Sequence, residues 1–155
     1  MKEYLRLLSS RAGFMAVIGA NLLVPDSSVL NLMGYILVDT SFDVFGFTHT
    51  DQSRGSASYR IIQKMFQFAV LLLIYIHVGP TAVIACLIAS WLLVCDVLFY
   101  FALSLPLEPF SWFKESPVNF FFITILKRPV TPVWAVLVSS GLGFALAIAI
   151  AFSSR

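Results

Sequence analysis

The sequence predicts an all-α, polytopic membrane helix bundle of four to five membrane segments, the first two forming a short N-terminal helical hairpin. Three observations lead there. Apolar residues make up 59% of the 155-residue chain and charged residues 12%, against roughly 45–50% and about 25% in soluble domains. Too little charge remains to cover a water-facing surface. Several apolar stretches also reach the ~20 residues with which a helix crosses about 30 Å of hydrocarbon. Finally, no set of alternating segments is present that could close a barrel, and an open strand edge cannot sit in lipid.

The same composition excludes other classes. Disordered chains are poor in the apolar residues that dominate here. Ten basic against eight acidic residues leave a net charge of +2, with no basic stripe for nucleic acid. The chain reads as a single integral membrane domain over 1–155. Its segments are about 5–24, 29–47, 59–78, 81–105 and 130–152, with an interfacial connector at 106–129.

Residues 5–24 are apolar apart from Arg6 and Arg11, whose long side chains snorkel to the headgroups. Pro25-Asp26-Ser27-Ser28 then breaks the helix and offers caps for a second one. It lacks the small-x-small pattern of a signal-peptide cleavage site, so the first segment is read as retained. Residues 29–38 are apolar but short. A full span carries Asp39 and Asp43 into the membrane, spaced i, i+4 on one helix face.

Residues 61–105 form a longer apolar stretch, interrupted by Gly79-Pro80, a turn signal. The two legs, 59–78 and 81–105, form a tight helical hairpin. Cys86 and Cys95, the only cysteines, lie nine residues apart on the second leg. On one continuous helix they occupy opposite faces and read as buried thiols that neither bridge nor share a metal.

The connector is rich in proline, which stops a continuous helix, and in aromatic residues suited to the interface: Phe110, Trp112, Phe113 and Phe120 to Phe122. Residues 130–152 form an uncharged run preceded by Lys127 and Arg128, with Trp134 near its entrance. From Gly141 to Phe152 small and large residues alternate, a strand-like pattern. The length and the lack of partner strands favour a helix.

Charge distribution selects between a hairpin and one kinked helix at Pro25. The hairpin puts Lys2, Arg6, Arg11, Arg54, Arg60, Lys64, Lys114, Lys127 and Arg128 on one side and only Arg155 on the other. A single kinked crossing leaves four against six. The positive-inside rule therefore favours an inner-membrane-type topology with a cytoplasmic N-terminus and an external C-terminus.

Folding the hairpin at Gly79-Pro80 puts Lys64 and Asp96 at one depth. A lone carboxylate there costs about 2.5–3.5 kcal/mol on insertion scales, so Lys64 or Arg60 is the expected partner. Asp39, Asp43, His49, Asp51, Arg54, Arg60, Lys64 and Asp96 could thus gather at one cytoplasmic mouth. As a site, such a set would offer carboxylates and a His as metal ligands or a base, with cations for a phosphate. As structure, it is a self-neutralising charge network. His49-x-Asp51 is a weak metal pair, and neither a metal nor a cofactor is implied. His77, beside the turn, reads as a hydrated interfacial residue.

Small residues argue for contacts. Ser139, Gly143, Ala147 and Ala151 recur every four residues, and Gly141, Ala145 and Ala149 repeat the device on the opposite face. Small faces let backbones approach closely in lipid. Ala12, Ala16 and Ala20 form a further row, as do Ala82, Ala85 and Ala89.

HExxH, P-loop and GxSxG motifs are absent from the sequence. The leading expectation is a non-catalytic polytopic membrane protein acting through helix–helix contacts. It would be an accessory or assembly subunit, or an inhibitor, of a larger membrane complex, with the bilayer and a membrane-protein partner or second copy as its contacts. The alternative is an enzyme acting on a lipid or polyprenyl phosphate through the Asp/His/Arg/Lys cluster. Ion or proton conduction along Asp96, Lys64 and Gln67 ranks third, because the outer half of the hairpin offers only Tyr75 and His77.

Overall fold

A computed structural model describes residues 10–23, 26–49, 57–107 and 116–153. Among these the chain is all helical: α1 (Arg11–Leu22), α2 (Ser28–His49), α3 (Ala57–His77), α4 (Pro80–Trp91), α5 (Val94–Leu103), α6 (Pro117–Asn119) and α7 (Val133–Ser153). A π-helical turn, Phe120–Ile125, continues α6.

Helix α2 is the axis of the bundle. It packs against α1, α3, α4, α5 and α7, and two thirds of its apolar span (67%) is buried, against 33% for α7. Its start is built by Ser27, whose carbonyl accepts from the Asn31 backbone (2.9 Å) and from Asn31 Nδ2 (3.0 Å). Gly79 (φ +105°) makes the turn between α3 and α4, and Pro80 opens α4, where its missing N–H has no intrahelical use.

The helices alternate in direction. Asp26, Ser27 and Ser28, the end of α3 at His77 and Val78, and the end of α7 at Ala151 and Phe152 meet around one cleft. At the other end Arg11 donates to the Ala102 carbonyl (3.1 Å) and to Ser104 Oγ (2.6 Å). Lys64, Lys127 and Arg128 stand near the starts of α3 and α7, toward this second end.

Two crossings depend on glycine. In the first, Gly19 and Gly34 bring α1 onto α2 so tightly that a Cβ on either would lie 2.9 or 2.8 Å from the other's carbonyl oxygen. In the second, α7 crosses the α4–α5 junction at Gly143, where a Cβ would lie 2.5 Å from Leu92 Cβ. The Ala82, Ala85 and Ala89 row is buried against α7 beside Ala147 and Ala151. Of the Ala12 row only Ala12 is buried; Ala20 is exposed, and Gly19 makes the close approach instead.

The expected four to five membrane segments are corrected by the helix lengths. Among the described residues two helices, Ser28–Gly46 within α2 and α7, are long and apolar enough to cross a membrane; the bent pair α4–α5 makes a third if counted as one span. Helix α1 has 12 residues, or about 18 Å. In α3 the apolar stretch is only Ile61–His77, and it already contains Gln63, Lys64 and Gln67.

The second hairpin leg is not continuous. It breaks at Leu92-Leu93, and α4 and α5 meet at 59°. Leu93 is buried with φ +69°, a left-handed conformation that costs a non-glycine residue about 1–2 kcal/mol. The break frees the Leu92 carbonyl, and a side chain of α7 satisfies it. Ser139 Oγ donates to the Leu92 carbonyl (3.2 Å) and Thr40 Oγ1 to the Cys95 carbonyl (3.4 Å). The two cysteines are free thiols, as expected. Cys86 and Cys95 are both buried, and both lie close enough to Asp39 of α2 to feel its charge.

Candidate functional site: a polar seam along α2

Four-residue spacing on α2 gives Asn31, Tyr35, Asp39 and Asp43, a row that winds slowly around a helix. A surface helix would turn such a row to water. Here helices cover α2 on every side of that row, and these residues are 0%, 1%, 3% and 6% exposed. Ser28, also buried, extends the row to the cleft at Asp26 and His77.

Most of the partners come from α3. Gln67 Nε2 donates to Asp39 Oδ1 (2.9 Å) and Gln63 Nε2 to Asp43 Oδ1 (2.7 Å). Gln63 and Gln67 are one turn apart, as Asp39 and Asp43 are, so two amide–carboxylate rungs clamp α2 to α3. Phe42 stacks on Phe66 between them (centroids 4.6 Å apart, planes at 13°). Lys64 is exposed at its tip and donates to Gln67 Oε1 (3.3 Å); its charge acts on Asp39 as well. On the other side the Cys95 thiol is within hydrogen-bonding reach of Asp39, and Tyr35 of Ser90.

Of the expected cluster, the described side chains are those of Asp39, Asp43, Lys64 and Asp96. Asp39 and Asp43 are inside the bundle, and uncharged amides hold them. Lys64 joins them through Gln67. Asp96 sits half-buried in the first turn of α5, where a carboxylate suits the positive end of the helix dipole. Among the described residues α3 and α5 have no extensive contact; both pack on α2. Asp51 and Arg54, and the side chains of His49 and Arg60, lie outside the described residues.

Gln63 and Gln67 share a helix face with Lys64 in the sequence; Tyr35, Ser90 and Cys95 are the members that charge-based reading passes over. A signal for the two glutamines existed: their spacing matches that of the aspartates. Among the described residues no three His, Cys, Asp or Glu side chains converge as metal ligands would.

The opposite small faces of α7 have separate fates. Ser139, Gly143, Ala147 and Ala151 are buried against the bundle. Gly141, Ala145 and Ala149 are exposed, and a Cβ on Gly141 would meet nothing within 4 Å. Compared with protein-family models, curated proteins and solved structures, the chain matches none of them.

Proposed function

We propose that the chain is a non-catalytic, multi-pass membrane subunit that works by helix–helix contact with another membrane protein or a second copy of itself. In this reading it assists assembly of, or inhibits, a larger complex. Its N-terminus faces the cytoplasm and its C-terminus the exterior.

The supporting observation is the exposed face of α7. Internal packing already uses Ser139, Gly143, Ala147 and Ala151. The remaining face carries Gly141, Ala145 and Ala149 between exposed Leu137, Leu142 and Leu146. A flat strip bordered by larger side chains favours backbone approach by another helix, and close packing drives association in lipid. The buried state of Asp39 and Asp43 agrees with this reading, since carboxylates that bind a headgroup must reach the interface.

The test is native mass in mild detergent for the wild type and Gly141→Ile. The wild type should run as a complex, and Gly141→Ile should release folded monomer. A wild-type monomer without co-purifying protein, or an unchanged complex in Gly141→Ile, overturns the reading.

A further inference from the structure

The row on α2 has a property that its individual members lack: it crosses the bundle. Ser28 borders a cleft of about 320 Å³ lined by Asp26, Ser27 and His77, room for about ten waters at ~30 Å³ each. Asp43 lies 15 residues further along α2, about 22 Å at 1.5 Å per residue. There Gln63 donates to Asp43, and Lys64, at the basic end, joins the row through Gln67 at Asp39. The outer half, which the α3–α4 hairpin leaves nearly apolar, is supplied by α2 itself through Ser28, Asn31 and Tyr35.

Spacing sets what such a row can carry. From Asn31 on, successive members are four residues, or about 6 Å, apart along the axis, and Ser28 stands three residues before Asn31. Where two polar atoms of such a row stand farther apart than one hydrogen bond, one water bridges them with two hydrogen bonds of about 2.8 Å. A hydrated metal or alkali ion needs several oxygens at one level. The members here are single, staggered and already held by amides, thiol and hydroxyl. A proton needs only one acceptor per step.

We propose that the α2 row is a proton pathway through the bundle, with Asp39 its obligatory carrier. A proton enters from water in the cleft and passes Ser28 and Asn31 along bridging waters to the Tyr35 hydroxyl. It then reaches the Asp39 carboxylate, which is protonated and releases a proton toward Asp43 and the basic end. Each step makes one O–H bond and breaks one, so Asp39 returns to its starting state after each transfer. The groups facing this route are Gln63, Lys64 and Gln67 from α3, Cys86 and Ser90 from α4, and Cys95 from α5. Gln67 donates to the Asp39 carboxylate and so positions it. An intramembrane carboxylate is costly, and in lipid such groups commonly mark proton relays. This proposal does not depend on the contact function.

The test uses the full-length chain in phosphatidylcholine–phosphatidylglycerol vesicles, with a potassium gradient, valinomycin and an internal pH dye. The wild type and Met65→Leu, a lipid-facing control (68% exposed), should acidify faster than protein-free vesicles. Asp39→Asn should fall at least tenfold, to the protein-free rate, and Asp39→Glu should retain flux. Tyr35→Phe should slow it severalfold. Wild-type flux equal to protein-free vesicles overturns the proposal, as does folded Asp39→Asn conducting like the wild type. If Asp39→Asn does not fold, Tyr35→Phe decides, and unchanged flux overturns it.

Discussion

Leu92 and Gly143 are in contact at the point where one helix ends and another crosses it. A Cβ on Gly143 would lie 2.5 Å from Leu92 Cβ, and Ser139, one turn earlier, donates to the Leu92 carbonyl at 3.2 Å. The helix break, the glycine and the serine thus form one joint: the bend exposes a carbonyl, the serine satisfies it, and the glycine lets the serine come near.

Gly143→Ala adds one methyl group against a β-carbon that cannot swing away. Overpacking of this kind costs about 1–3 kcal/mol. Thermal unfolding in detergent should show a lowered midpoint for Gly143→Ala and an unchanged one for Gly141→Ala, whose Cβ meets open space. Equal losses in the two variants would contradict the crossing.

Ser139→Ala removes only the donor. Polar contacts within membranes average about 0.6 kcal/mol and reach about 1.7, so a loss near the upper figure is expected because the carbonyl has left its helix ladder. Ser139→Ala and Gly143→Ala should combine non-additively, since both act on Leu92. Strict additivity would separate the hydroxyl from the crossing.

Asp39 and Gln67 should be energetically coupled, and Lys64 and Asp96 should not. A double-mutant cycle of Asp39→Asn with Gln67→Leu should show a coupling of about 0.6 kcal/mol or more. Lys64→Gln and Asp96→Asn should add within about 0.5 kcal/mol, as separate sites do. The reverse result would restore the ion pair that equal depth suggests.

Reporter fusions after Ser58 and after Ser116 should both read cytoplasmic, and a fusion after Arg155 external. The basis is the nine-to-one split of basic residues. A cytoplasmic C-terminus would exclude the N-terminal hairpin topology.

Much of this architecture is legible in the sequence because lipid leaves few solutions. The run at 130–152 becomes α7 (Val133–Ser153) with small shifts, and Gly79-Pro80 makes the turn it signals. The inward and outward small faces of α7 are also readable as two faces, though only packing decides which is which. The break at Leu92-Leu93 is not readable. Leucine carries no breaker signal, and the carbonyl that the bend frees is satisfied by Ser139, far away in sequence. The same holds for the Gly19–Gly34 crossing, whose members belong to different helices and form no local motif. Reading charges by sign suggests Lys64 for Asp96. Burial instead favours amide donors for Asp39 and Asp43, because an amide satisfies a carboxylate without bringing a second ion out of water.

The 59° bend has a consequence for the membrane around the chain. As straight rods α4 and α5, with 12 and 10 residues, would reach about 33 Å end to end. Bent at 59°, they reach about 29 Å by the same rise per residue. The 19-residue apolar span of α2 measures about 28 Å. Bilayers range from about 27 Å in thin membranes to about 33 Å in thick ones, and mismatch costs fractions of a kcal/mol per ångström. The kink therefore matches the α4–α5 path to α2 and suits the chain to the thinner leaflet pair. In a thick one, either the surrounding lipids thin or the joint at Leu92 straightens.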